Sequence, residues 1–224
     1  MINAVQRAQR EGRPFFIAAH FDDVHHPYRA HIGHSVPDFP DPNQDIAAYD
    51  RCIAHFDSML RFLTSSLDRL GTRDDTILIV TADHGEEFHE HGGTIHSRTC
   101  YVESVQVPLI VRIPGLQPPR ISRRVALTDL VPTLLEVMSL PPKPSVFDGQ
   151  SLFVPALATD RAPEDRPIFC SVFQLLSGRK NFFTRSVRTD EHVLIHEALS
   201  DHVELYDAVR DPGESRDIAP SNPE

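Results

Sequence analysis

Apolar positions recur along this chain with two different periods, and the periods divide it. Ile46, Tyr49, Ile53, Phe56, Leu60, Leu63, Leu67 and Leu70 return every three or four residues, the spacing of an amphipathic helix over 46–70. Asp45 is placed to cap its start and Gly71 to close its end. Residues 2–11 predict a shorter helix, stopped by Gly12 and Pro14. Thr128 is placed to cap a third helix over 129–139, which the prolines at 141, 142 and 144 terminate.

Between the helices lie short apolar runs of strand length. PFFIAAHF (14–21), TILIVTADHG (76–85) and VPLIVRIPG (107–115) read as buried parallel strands, each ending in polar or turn-forming residues. Residues 27–45 are rich in proline and turn formers and predict a long loop. After residue 160 the pattern shortens. IFCSVF, FFTRSVRT, HVLIH and VELYD are β-rich and separated by turns, with a strong turn signal in DPGE at 211–214. The order of elements predicts an α/β fold, a mostly parallel sheet flanked by helices, with a small antiparallel sheet at the C-terminus. Ligands of such sheets bind beyond the carboxyl ends of the strands.

Composition narrows the function. The 224 residues carry 32 acidic and 22 basic side chains, a net charge of −10. That balance excludes a general nucleic-acid binder and a polybasic membrane anchor. The three cysteines, Cys52, Cys100 and Cys170, form no CxxC pair and read as packed small hydrophobes. The chain contains neither a signal-peptide pattern nor an apolar run near the ~20 residues of a membrane-spanning helix, which leaves its compartment open.

Histidine is the unusual count. Nine of thirteen fall in two windows: His20, His25, His26, His31 and His34 after the first apolar run, and His84, His89, His91 and His96 after the second. Asp83 and His84 together either offer an oxygen and a nitrogen donor for a divalent cation or only cap the next element. Gly85 would let the backbone turn so that both face one point. His25 and His96 are each able to donate to an anionic oxygen, but taken singly each reads first as a surface loop residue. His31, His34, His89 and His91 read as solvated loop residues. Asp22 and Asp23 read as capping groups or as partners orienting His25. No GxSxG, P-loop or dinucleotide glycine fingerprint is present.

Six segments, in order, resemble the sulfatase family of the alkaline phosphatase superfamily. PFFIAAHFDDVHHPY resembles a segment that usually ends D-P-H-x-P-Y. DDTILIVTADHGEEFHEHG resembles the family's most recognisable stretch. YVESVQVPLIVRIPG, LTDLVPTLLEVMSLP, DGQSLFVPAL and VELYDAVRDPGESRDIA resemble the segments that follow. The resemblance implies an alkaline-phosphatase-like fold, with residues 1–160 a C-terminal portion of its α/β domain and 161–224 a β-rich subdomain. It implies a metal-dependent hydrolase of small-molecule or glycan sulfate esters, or of the phosphate esters of close relatives. Asp83 and His84 match metal ligands, with calcium foremost and zinc or manganese as alternatives. His25 matches the histidine that contacts the ester anion. His96 stands where many sulfatases have lysine, and would bind ester oxygens or protonate the leaving alcohol.

The chain also departs from the family. It has no C-x-P-S-R segment, whose cysteine becomes the formylglycine nucleophile, and no paired aspartates ahead of it. Three functions therefore stay open. One is a partial sulfatase, inactive alone and awaiting its N-terminal half or a partner chain. Another is a phosphodiesterase or a phosphoethanolamine or glycerophosphate transferase. The third is a non-catalytic remnant that keeps the anion contacts. Missing strands would expose an apolar edge or face.

Overall fold

Glycines end the two N-terminal helices as the sequence predicts. Helix α1 (Ile2–Arg10) and helix α2 (Gln44–Arg69) are followed by Gly12 and Gly71, with φ of 62° and 64°. At α2 the Gly71 N–H donates to the Asp68 carbonyl and the Thr72 N–H to the Leu67 carbonyl. This paired closure satisfies carbonyls the helix leaves open and needs a left-handed residue. The start of α2 differs from expectation. Asn43 is the cap, its side chain accepting from the Asp45 N–H.

The structure, a computed structural model, describes residues 1–29, 41, 43–116, 123–141, 146–152, 166–174 and 182–221. His31 and His34 lie outside the described residues. The chain divides into two units, Met1–Thr81 with Leu109–Leu116, and Ala82–Pro108 with Gln117–Glu224.

In the first unit, strand β1 (Leu78–Thr81) pairs antiparallel with β4 (Leu109–Arg112). The expected strand over 14–21 does not form a ladder; the segment runs without regular structure. An apolar run becomes a strand only when neighbours take up its N–H and C=O groups. Among the described residues none pairs with 14–21. Parallel neighbours are likewise absent among the described strands, so the two histidine windows do not follow two adjacent strands. Helix α2 buries Ala47, Cys52, His55, Ser66 and Leu67. Ile53, predicted on the inner stripe, is 43% exposed.

The second unit holds the hairpin β2 (Glu87–Phe88) and β3 (Thr94–Ile95), the short helix α3 (Val102–Val105), helix α4 (Leu130–Val137) and a four-stranded antiparallel sheet. Its strands are β5 (Ile168–Gln174), β6 (Phe182–Arg188), β7 (His192–Glu197) and β8 (His202–Asp207), paired in chain order. Side chains alternate across the sheet. Val193, Ile195 and Tyr206 pack with Cys100 in a core joined by Tyr101, Val105, Cys170, Val172 and Ala208. The opposite face leaves Phe169 and Phe173 exposed. The small C-terminal antiparallel sheet is thus as the sequence predicts.

Asp129, rather than the predicted Thr128, organises the start of α4. Fully buried, its carboxylate accepts from the Ala126 and Gln150 N–H groups and from Arg166. All three cysteines are free thiols, with Cys52 and Cys100 buried. No described helix is long and apolar enough to cross a membrane.

Candidate functional site

The segment leaving β1 carries the densest chemistry. Asp83 and His84 follow at once, Glu86 and Glu87 lead into the hairpin, and His96 leaves it. Gly85 is required here for a reason the sequence does not show. Its backbone lies so close to α3 that a Cβ would sit 2.0 Å from the Glu103 carbonyl oxygen. Its N–H donates to the Ser104 carbonyl at 2.8 Å. Close approach, rather than a left-handed turn, excludes a side chain.

Asp83, His84 and His96 come together in the second unit. The His84 and His96 rings stack with centroids 4.0 Å apart and planes 26° from parallel. Asp83 Oδ2 stands 3.7 Å from His84 Nε2. That separation suits two donors of one cation, since ligand bonds of about 2.0–2.6 Å place neighbouring donors roughly 3–4 Å apart. His84 Nδ1 donates to the Gly85 carbonyl at 2.9 Å, which assigns the lone pair of the neutral ring to Nε2. His96 Nδ1 donates to Glu86 Oε1 at 2.9 Å, and both side chains are largely buried.

Glu86 is a functional candidate that the sequence reading missed. Its carboxylate fixes the ring orientation of His96, as a buried acceptor does for a working histidine. The doublet after D-H-G was its only local signal. Glu87 differs in role: its Oε1 accepts from the Gly93 N–H and closes the hairpin.

His25 belongs to the first unit and is exposed. Its Nδ1 donates to the His26 carbonyl, again leaving Nε2 as the second ring nitrogen. Helix α2 holds the surrounding segment. Phe21 packs edge-on against Phe56, Tyr28 against Tyr49, and the Cys52 thiol reaches the Arg29 carbonyl at 3.7 Å. The Asp23 carboxylate lies 3.7 Å from His55 Nε2, and both groups are mostly buried. The Asp22 carboxylate meets His20 at the surface.

His91 overturns another expectation. Read as solvated, it is largely buried, stacked on Tyr101 with centroids 3.8 Å apart and planes at 8°. His89 is exposed, as predicted.

The arrangement is an Asp–His pair beside a histidine whose ring a buried carboxylate orients. The sulfatase family model matches residues 1–140, and that of the C-terminal part of N-sulphoglucosamine sulphohydrolase matches residues 89–223. The chain belongs to the sulfatase family. Arylsulfatase K of Mus musculus is 30% identical over 186 residues, covering 80% of this chain and 33% of its own length. The chain spans about a third of the length of the curated relatives it matches. A sulfatase structure from Bacteroides fragilis superposes with a TM-score of 0.76 at 21% identity, over the whole of this chain and 53% of that one. The phosphonate monoester hydrolase of Agrobacterium radiobacter superposes at 0.65 with 25% identity, over 80% of this chain and 38% of its own.

Sulfatase-family proteins work with a divalent metal ion. By donor type and the 3.7 Å spacing, Asp83 and His84 would supply two donors of such a set. Among the described residues no group of three or more histidine, cysteine or acidic side chains is placed to complete it.

Proposed function

We propose that this chain supplies one side of a sulfatase-family active site that hydrolyses sulfate esters, with sulfated glycans as the substrate class. The observation that carries this lies in the second unit: the His84 and His96 rings stack 4.0 Å apart, with Asp83 Oδ2 3.7 Å from His84 Nε2 and Glu86 accepting from His96 Nδ1. Asp83 and His84 would hold the cation, calcium foremost because the carboxylate is a hard oxygen donor, and zinc or manganese where nitrogen ligands join it. A bound divalent ion polarises ester oxygens and acidifies a nucleophile. His25 binds an anionic ester oxygen. His96, steadied by Glu86, binds a second oxygen or passes a proton to the leaving alcohol. A division near residue 160, between an α/β portion and a β-rich subdomain, goes with this function.

A second function, phosphate-ester chemistry, is favoured by His96 in the place of lysine and by the likeness to a phosphonate monoester hydrolase.

Titration of the isotopically labelled chain with inorganic sulfate, and separately with inorganic phosphate, tests both. Sulfate is expected to shift the ring resonances of His25 and His96 and to leave His196, on the β-sheet, unmoved. Phosphate binding about tenfold tighter than sulfate would select the second function. No shift with either anion would defeat both.

A further inference from the structure

The hairpin that carries Glu86 and His96 is short, strained and anchored from one side. Each strand has two residues. His89, Ile95 and Ser97 have φ of 76°, 62° and 69°, a region that side-chain-bearing residues avoid, β-branched isoleucine above all. Such strain persists only where surroundings over-determine the backbone. The Gly93 N–H donates to Glu87 Oε1 at 2.7 Å and ties the two arms of the hairpin together.

Those surroundings converge on His91, at the hairpin tip. Its Nδ1 meets Glu103 Oε1 at 2.8 Å and its Nε2 meets the Glu214 carbonyl at 2.7 Å. A carbonyl only accepts, so Nε2 carries a proton; a carboxylate accepts from Nδ1 in the same way. Both bonds at once require the imidazolium. The ring lies flat on Tyr101, whose hydroxyl donates to Glu204 at 2.8 Å. Glu214 is itself fixed, its carboxylate taking Arg188 and the Val102 N–H. Asp211 is a further charged group near the ring.

We propose that protonated His91 is a positioning residue that latches the 87–95 hairpin to Glu103 and the 211–214 turn, and so holds His96 in place. The inference rests on the proposed role of His96, but the latch itself does not. Opposing effects set its working range. Burial lowers the His91 pKa, but the bonds to the Glu214 carbonyl and the Glu103 carboxylate, with the charges of both glutamates, outweigh burial and hold it above its ordinary value. A histidine pKa raised by folding contributes stability that is full below the unfolded value of about 6.5. That stability is lost as pH rises through the folded value.

Nitrogen-15 resonances of the His91 ring, followed with amide exchange across a pH series, test the latch in the intact chain. Both ring nitrogens are expected to be protonated at pH 6, and to titrate above the ordinary histidine range. Exchange at His89, Gly92 and Gly93, normalised to intrinsic rates, should rise about tenfold in step with that titration. Amide shifts at Ile95 to Ser97 should move with it, while β5–β8 stays protected. His91→Phe keeps the stack but loses both bonds, and should show the high-pH behaviour at every pH. A His91 ring that titrates at or below the ordinary value overturns the latch. So does a titration that leaves the hairpin amides unchanged. Neither result depends on anion binding, so failure of the sulfate titration alone would count against the proposed function and not against the latch.

Discussion

Glu214→Ala is expected to destabilise the second unit by about 3–5 kcal/mol, the usual cost of leaving one half of a buried ion pair. Glu214 is 2% exposed and accepts both Nη atoms of Arg188, which is also buried. The same carboxylate takes the Val102 N–H at 2.9 Å and so ties helix α3 to the 211–214 turn. Alanine leaves the guanidinium buried with the Cys100 carbonyl as a remaining acceptor. Glu214→Gln keeps an acceptor for the Val102 N–H and should cost less. The backbone at 214 has φ of 55° in the native chain, and both variants carry a side chain there, so strain does not separate them. Urea denaturation reads the difference as a shift of midpoint at constant slope. A loss below about 1 kcal/mol for alanine would place the pair among ordinary surface bridges.

The largest catalytic effect is expected at His84. The 224-residue chain alone should turn over aryl sulfates and aryl phosphates no faster than its His84→Ala variant, because the sequence contains no C-x-P-S-R nucleophile segment. Joined to the nucleophile-bearing N-terminal portion of a sulfatase relative, the chain should hydrolyse 4-nitrophenyl sulfate. His84→Ala should then lower kcat/KM more than about 100-fold, since metal ligands and transition-state donors contribute on that scale. Glu86→Gln should lower it about tenfold, because His96 keeps a neutral acceptor. Turnover by the chain alone, well above the His84→Ala control, would contradict the half-site. An active chimera indifferent to His84→Ala would remove the metal role.

Much of the fold was legible because local pattern and tertiary structure agree. The 3.6 period and the glycines at 12 and 71 located α1 and α2, and β-rich segments separated by turns located β5 to β8. The apolar run at 14–21 failed for a physical reason: its sequence records hydrophobicity, whereas a strand also needs partners for its backbone. Asp83, His84 and His96 were legible by their clustering after β1, and the structure brings them together. Glu86 and His91 were not. Each acquires its role from a contact that local sequence does not record. His91 meets a carbonyl 123 residues away, and Glu86 meets His96 only once the hairpin folds back. Gly85 was flagged correctly but for the wrong cause, since the Glu103 backbone lies in a segment the triplet cannot reveal.

The half-site stands or falls on whether Asp83 and His84 take a cation beside His96. Paramagnetic broadening by manganese(II) reads this directly in the labelled chain. The half-site predicts that substoichiometric manganese broadens the resonances of Asp83, His84 and His96 first, and that His84→Ala abolishes this selectivity. A chain of net charge −10 offers many competing carboxylates. Broadening that begins instead at exposed carboxylates such as Asp74 and Asp201, with His84 and His96 untouched, would contradict it.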